Sequence, residues 1–241
     1  MPNHVTNKLK IIGSKERINE IKEYLKIEYD DCTVGMDFNK IIPMPKSLNM
    51  VSGSIEDIAL SVYILENPES KYVIKKSKDF FINRSKEEIY DYLKHNSEKT
   101  YNELLEIGKK YYENIKEYGY STWYDWCRKY WGTKWNAYKC DLEDTEDTIY
   151  FLTAWSGVPN LIGIISVKYP EVEFEYYYAD EDFGHNVGAY KFKNGDKEKR
   201  IIEGGTKEAY LLAAEIRQET LEENCINPKT FEYDESLEEE I

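Results

Sequence analysis

Histidine and cysteine, the side chains most often recruited for metal binding and nucleophilic chemistry, are scarce, at three and four in 241 residues. No two cysteines form a Cys-x-x-Cys pair. Cys32, Cys127, Cys140 and Cys225 therefore read as free thiols of a reducing compartment, with neither a zinc site nor a disulfide framework. A Gly-rich phosphate loop, a His-Glu-x-x-His helix and a nucleophile elbow are all missing. His185, after Ala-Asp-Glu-Asp-Phe-Gly, sits beside carboxylates, but without a second ligand cluster that stretch reads as a solvated acidic loop. The expectation is a protein without catalytic residues, cofactor or metal. No apolar run approaches the roughly 20 residues of a membrane span, and the opening MPNHVTNKLK lacks the apolar centre of a signal peptide. A cytoplasmic protein is expected.

What is present in quantity is charge, unevenly spread. The net charge is −14. Residues 140–184 hold eleven acids and one lysine, whereas residues 71–139 hold fifteen bases and ten acids. The last ten residues, EYDESLEEEI, add six acids and no base. Such a chain stays soluble and avoids nonspecific nucleic-acid binding through its acidic half. Glu171, Glu173 and Glu175 alternate along one strand face. In the fold argued below, Lys8 and Lys10 on one side and Lys191 and Lys193 on the other would neutralise that row.

Apolar periodicity supplies the architecture. HVTNKLKIIG alternates Val5, Asn7, Leu9 and Ile11 against polar neighbours, as a half-buried strand does. Ser14 can cap a helix striped by Ile18, Ile21 and Leu25. MDFNKIIPMP reads as a second short strand stopped by Pro43 and Pro45. Residues 54–131 turn helical, with capping boxes at Ser85/Glu88 and Thr100/Glu103 and a terminating Gly119. WNAYKCDL and TIYFLTAW are then strands about an acidic turn, Val158–Lys168 is a helix and EVEFEYYY is a strand. A hairpin turning at Asn194-Gly195 and a helix begun by Thr206 complete the chain.

That order, β-α-[insert]-β-β-α-β, predicts an α+β fold. It is a ferredoxin-like antiparallel sheet with helices on one face, a large helical insertion and a C-terminal hairpin-helix extension. The expected domains are residues 1–42 with 132–223 for the split sheet domain and 43–131 for the insertion. Residues 224–241 are expected to form a flexible acidic tail.

Residues 122–138, TWYDWCRKYWGTKWNAY, contain four of the five tryptophans, and Trp155 follows. Large aromatics at the handover from inserted helices to sheet are expected to lock the two together. Trp123, Trp126, Trp131, Trp135 and Trp155 are thus the candidate structural seam.

The segments MPNHVTNKL, FNKIIPMP, WCRKYWGTKWNAY and FLTAWSGVPN resemble, in order and rough spacing, a family of plasmid and prophage proteins called YubB-like. The resemblance implies a ferredoxin-like C-terminal domain and an accessory role in a mobile element of a bacterial host. It covers the two ends and the Trp run but not residues 54–120. The family has no established activity, so no catalytic residue carries over.

Together these point to a binder: a mobile-element accessory protein that engages a host protein with a basic surface, such as a nucleic-acid-handling or defence enzyme. The expected contact residues are Asp141, Glu143, Asp144, Asp180, Glu181 and Asp182. Two alternatives remain: a nucleic-acid-binding factor using the basic insert, with KKSK at 75–78, Arg84, Lys109, Lys110, Arg128 and Lys129, or an enzyme with an unrecognised site.

Overall fold

The alternating segment at the start of the chain forms β1 (His4–Ile12), and every second residue from Val5 to Ile11 is buried. Ser14 caps α1 (Lys15–Leu25) by accepting from the Arg17 amide, and Ile18, Ile21 and Leu25 make its buried stripe. These elements belong to a computed structural model that describes residues 2–28, 34–77, 84–96, 99–142 and 145–240. The chain divides into two compact units, residues 1–43 with 128–241 and residues 44–127.

The first unit is the sheet. After α1, β2 (Lys26–Glu28) and β3 (Val34–Met36) pair as a small separate ribbon. The strand expected over MDFNKIIPMP therefore ends at Met36. Beyond it the Asp37 carboxylate accepts from the Asn39 amide and turns Phe38–Lys40 into a short 3-10 helix. A local side-chain cap thus outcompetes extension. The chain re-enters at β4 (Tyr138–Asp141) and β5 (Thr148–Ala154), then runs through α7 (Pro159–Lys168) and β6 (Glu173–Asp180). The hairpin β7 (Gly188–Lys193) and β8 (Asp196–Arg200) and the helix α8 (Lys207–Arg217) follow.

The six strands lie in the order β4-β5-β1-β6-β7-β8, every neighbouring pair antiparallel. With α1 and α7 as its two helices, the first strand sits centrally between the third and fourth, and this is the ferredoxin-like arrangement. The hairpin extends it along β6. Asn194 and Gly195 both adopt positive φ, 50° and 84°, as a two-residue turn between twisted strands requires. Phe151, Phe174, Tyr176 and Phe192 are fully buried, and α7 packs on β6 and β7. α8 takes the opposite face, where Ala213 and Ile216 cover Ala179 and Tyr177, and Glu215 reaches Lys8 at 2.7 Å.

Of the row of glutamates, Glu175 is paired across strands as expected, whereas Glu171 precedes β6 and reaches α1 instead. Glu175 lies opposite Lys10 on β1 and Lys191 on β7, 2.8 Å from the Lys191 ammonium. Glu171 meets Arg17 at 2.7 Å. The hydrogen bond from Lys191 holds the Glu175 carboxyl below its ordinary range. A carboxyl depressed in the folded state contributes stability above the unfolded value of about 4.3 and loses it as pH falls through the folded value. Acidification below about pH 4.5 is therefore expected to lower the unfolding midpoint. Glu175→Gln should flatten that fall by up to about 1 kcal/mol, the scale of a part-exposed pair, and thermal scans at pH 3–6 check it.

The acidic tail is the second correction. Instead of fraying at residue 224, the chain folds back: Ile226 bridges to Tyr233. Ile226 and Leu221 bury against Tyr210 of α8, with Phe183 and Phe231 packed around them. Apolar side chains scattered among the acids, Ile226 and Phe231, anchor the segment by burial beside Leu221.

The second unit is helical: α2 (Ser54–Glu66), α3 (Ser70–Ser77), α4 (Lys86–Asn96) and α5 (Tyr101–Tyr118), with α6 (Trp123–Tyr130) running out of it. Both capping boxes form, Ser85 with Glu88 and Thr100 with Glu103. Gly119 ends α5 at φ 81°. α2 and α5 form the main packing pair around Leu60, Leu104 and Tyr111. Gly108 lets them touch: a Cβ there would lie 2.1 Å from the Ala59 carbonyl oxygen.

Candidate functional site

Where β5 leaves the sheet, residues 155–158 carry the chain to the start of α7. Trp155 has φ 72°, a left-handed conformation that bulky residues rarely adopt and that costs about 1–3 kcal/mol unless its surroundings over-determine it. Here they do. The Trp155 amide donates to the Asn3 carbonyl at 2.9 Å, and its own carbonyl accepts from Asn186 Nδ2 at 3.1 Å. Ser156 donates from Oγ to the Gly132 carbonyl and accepts at its carbonyl from Thr153 Oγ1 at 2.7 Å. Gly157 has no room for a side chain, since a Cβ would stand 2.3 Å from the Tyr178 ring. Val158 donates its amide to the Tyr176 hydroxyl at 2.6 Å.

Beneath this loop a buried circuit closes. The Tyr176 hydroxyl donates to Asn7 Oδ1 at 2.5 Å, and Asn7 Nδ2 donates to Thr153 Oγ1 at 2.9 Å. Asn7 and Tyr176 are both fully buried. Burial pushes the Tyr176 phenol well above its ordinary range, so it remains a donor. The same connections that satisfy these polar groups fix the loop.

Trp155 is 37% exposed. The Lys134 ammonium lies 5.1 Å from its indole centroid and 4.6 Å from that of Trp135, and the Arg128 guanidinium is 5.9 Å from Trp155. Trp135 meets Tyr138 edge-on at 6.3 Å. The Tyr138 hydroxyl donates to the Thr153 carbonyl at 3.2 Å and lies 2.5 Å from His4 Nδ1. Burial, and secondarily the Glu181 carboxylate, raise the Tyr138 phenol.

The acidic residues expected to contact a partner separate. Asp180 is 4% exposed. Its carboxylate is consumed by Asn3 Nδ2 at 3.0 Å, the Asp182 amide at 3.0 Å and Asn186 Nδ2 at 2.7 Å. It is a strut that ties the 180–186 loop to the N-terminus and, through Asn186, to Trp155. Glu181 and Asp182 are exposed on that loop. Asp141 ends β4 at the other end of the sheet, where the Ile11 amide meets the Asp147 carbonyl. Glu143 and Asp144 lie outside the described residues. Antiparallel β-strands of this length place Asp141 and the 180–182 loop at opposite ends of the sheet.

The tryptophans divide too. Trp123 and Trp126 fall in the helical unit, and Trp131, Trp135 and Trp155 in the sheet unit. Trp131 donates from Nε1 to the Ile42 carbonyl at 2.9 Å and meets Phe38 edge-on, a packing role. Of the basic stretch 75–78, Lys78 lies outside the described residues. Arg84 pairs with Glu88 at 3.5 Å.

Among the described residues no three histidine, cysteine or acidic side chains come together to hold a metal ion. A cleft of about 890 Å³ opens beside α1 and is lined by Lys15, Lys22, Glu23, Lys26, Glu146 and Asp147 among others. Opposite charges there engage one another or the backbone: Lys15 meets Glu146 at 3.4 Å and Lys22 donates to the Thr145 carbonyl. No helix of the described residues is long and apolar enough to cross a membrane.

Residues 134–240 match a family model described as a ferredoxin-like domain in Api92-like protein. The match reaches through the folded C-terminal segment, whereas β1, the strand between β5 and β6, comes from outside it. The crystal structure of protein Api92 from Yersinia pseudotuberculosis is similar at 10% identity and TM-score 0.38, over 84% of this chain and 99% of that one. No curated protein matches the chain.

Proposed function

We propose that the protein acts by binding a partner with a basic surface through the end of the sheet that carries Trp155. One observation carries this: an exposed tryptophan stands on a left-handed backbone whose every neighbour is pinned. Strain of that kind is retained at ligand clamps, and pre-organised aromatic anchors dominate interface energetics. The charge supports the polarity of the partner. Phe183 packs in the cluster that folds the C-terminal segment back, joining the loop of Glu181 and Asp182 to a stretch, residues 218–241, with nine acids and one lysine. Such a field steers a basic partner. The matched family model describes a fold and names no activity. A phage, prophage or plasmid setting, with a host nucleic-acid-handling or defence enzyme as partner, rests on the sequence resemblance.

The test is affinity capture from nuclease-treated host lysate, comparing wild type with Trp155→Ala and with Glu181→Gln/Asp182→Asn. A basic protein should be retained by wild type and depleted at least tenfold by Trp155→Ala, as for a central anchor. Equal capture by both, or capture abolished by the nuclease alone, would reject this surface.

A further inference from the structure

The Lys134 ammonium lies against two indoles, those of Trp135 and Trp155. Lys134 Nζ stands 4.6 Å from one indole centroid and 5.1 Å from the other, both inside the roughly 6 Å reach of a cation–π contact. Contact with Trp135 is a matter of sequence adjacency, but Trp155 is brought there by the fold. We propose that these two indoles form an ammonium-binding cage, filled by Lys134 in the free protein and by a lysine side chain of the partner in the complex. It deepens the binding reading above by naming the chemistry the surface selects.

Three features favour a cation as the incoming group. Indole faces carry the negative lobe of the ring quadrupole, so a pair that presents faces attracts ammonium and repels anions. The Arg128 guanidinium also rests over Trp155, at 5.9 Å, a second cation on the same ring. The neighbouring loop carries exposed Glu181 and Asp182, and the Glu181 charge is felt at Tyr138, which abuts Trp135. These carboxylates favour a cation and oppose a phosphate.

The walls are rigid and the occupant is not. Trp155 is held through its backbone by Asn3 and Asn186. Trp135 leans on Tyr138, itself fixed by His4 and the Thr153 carbonyl. Lys134 ends in a flexible four-carbon stem with several rotatable bonds. An intramolecular occupant at high effective concentration raises the threshold for weak ligands and sharpens selection for a partner that brings other contacts.

The probe is tetramethylammonium chloride against sodium chloride at equal ionic strength, read by the indole Nε1–H NMR signals. Trp135→Phe and Trp155→Phe assign the two signals. In Lys134→Ala, and in Lys134→Met, which keeps most of the stem, both signals should shift saturably at a concentration at least tenfold below that needed for wild type. Absence of a saturable shift in both variants, or equal midpoints in variants and wild type, overturns the cage. So does a shift driven by inorganic phosphate or a short oligothymidylate in place of tetramethylammonium, which would mark the pair of indoles as an anion or nucleic-acid site. No partner protein enters this measurement, so a failed capture experiment and a failed cage remain distinguishable.

Discussion

Tyr176→Phe is expected to destabilise the sheet unit by about 2–4 kcal/mol although it removes a single oxygen. The hydroxyl accepts from the Val158 amide and donates to Asn7 Oδ1, so its loss leaves two buried polar groups without partners, each costing about 1–3 kcal/mol. Asn7→Leu should cost a similar amount for the converse reason. It takes the acceptor from the Tyr176 hydroxyl and a donor from Thr153 Oγ1, which keep only their bonds to the Val158 amide and the Ser156 carbonyl, while roughly conserving volume. Because the two changes remove facing members of one circuit, Tyr176→Phe/Asn7→Leu should cost less than the sum of the singles. Urea unfolding of the three variants completes the cycle. Single costs below about 0.5 kcal/mol, within the range of ordinary surface changes, would show that water satisfies these groups and that the loop above is not braced from beneath. With the bracing gone, the Trp155 indole should also lose its fixed environment, visible as a broadened Nε1–H signal.

Gly108→Ala should disrupt the helical unit. The added methyl would sit 2.1 Å from the Ala59 carbonyl oxygen and 2.9 Å from Tyr63 Cβ. Because the first of these is backbone, no side-chain rotation relieves it. α2 and α5 must move apart, loosening the packing of Leu60, Leu104 and Tyr111. Overpacking of a tight core costs about 1–3 kcal/mol, occasionally more, and a backbone clash belongs at the upper end. Hydrogen exchange by NMR separates this from a general loss of structure. Amides of α2 and α5 should exchange at least tenfold faster, while those of β1, β5 and β6 serve as the reference. Unchanged protection in α2 and α5 would mean that the helices do not cross at Gly108.

Much of the fold was legible because the signals are local and repeated. The period-two alternation through Val5, Leu9 and Ile11, the caps at Ser14, Thr100 and Thr206, and the Asn194-Gly195 turn each act within a few residues. The order of the resulting elements then admits few sheet topologies. MDFNKIIPMP was misjudged as a strand because β-branched and apolar residues promise extension, while the competing cap from Asp37 depends on only one carboxylate. A loose tail was expected because charge density outweighs a few apolar residues in any composition average, yet Ile226 and Phe231 of that segment pack with Leu221 beside Tyr210 of α8.

The candidate site was far less legible. Asp180, Glu181 and Asp182 are consecutive acids, and nothing in their order says that the first is consumed by Asn3 and Asn186 while the next two face water. Asn7 offered one clue, an amide on an otherwise apolar strand face, but its partners lie 146 and 169 positions away.

Composition, period and punctuation by themselves determined the α+β class, the element order, the split of the sheet around helices and the placing of Glu175 between lysines. Each follows from which residues one strand or helix can turn toward a core. Only the tertiary structure decided which acids remain exposed, that the C-terminal segment folds back, and that Lys134 meets Trp155 as well as Trp135. Those outcomes depend on distances between residues remote in sequence, and such distances come into being only when the strands pair and the chain closes on itself.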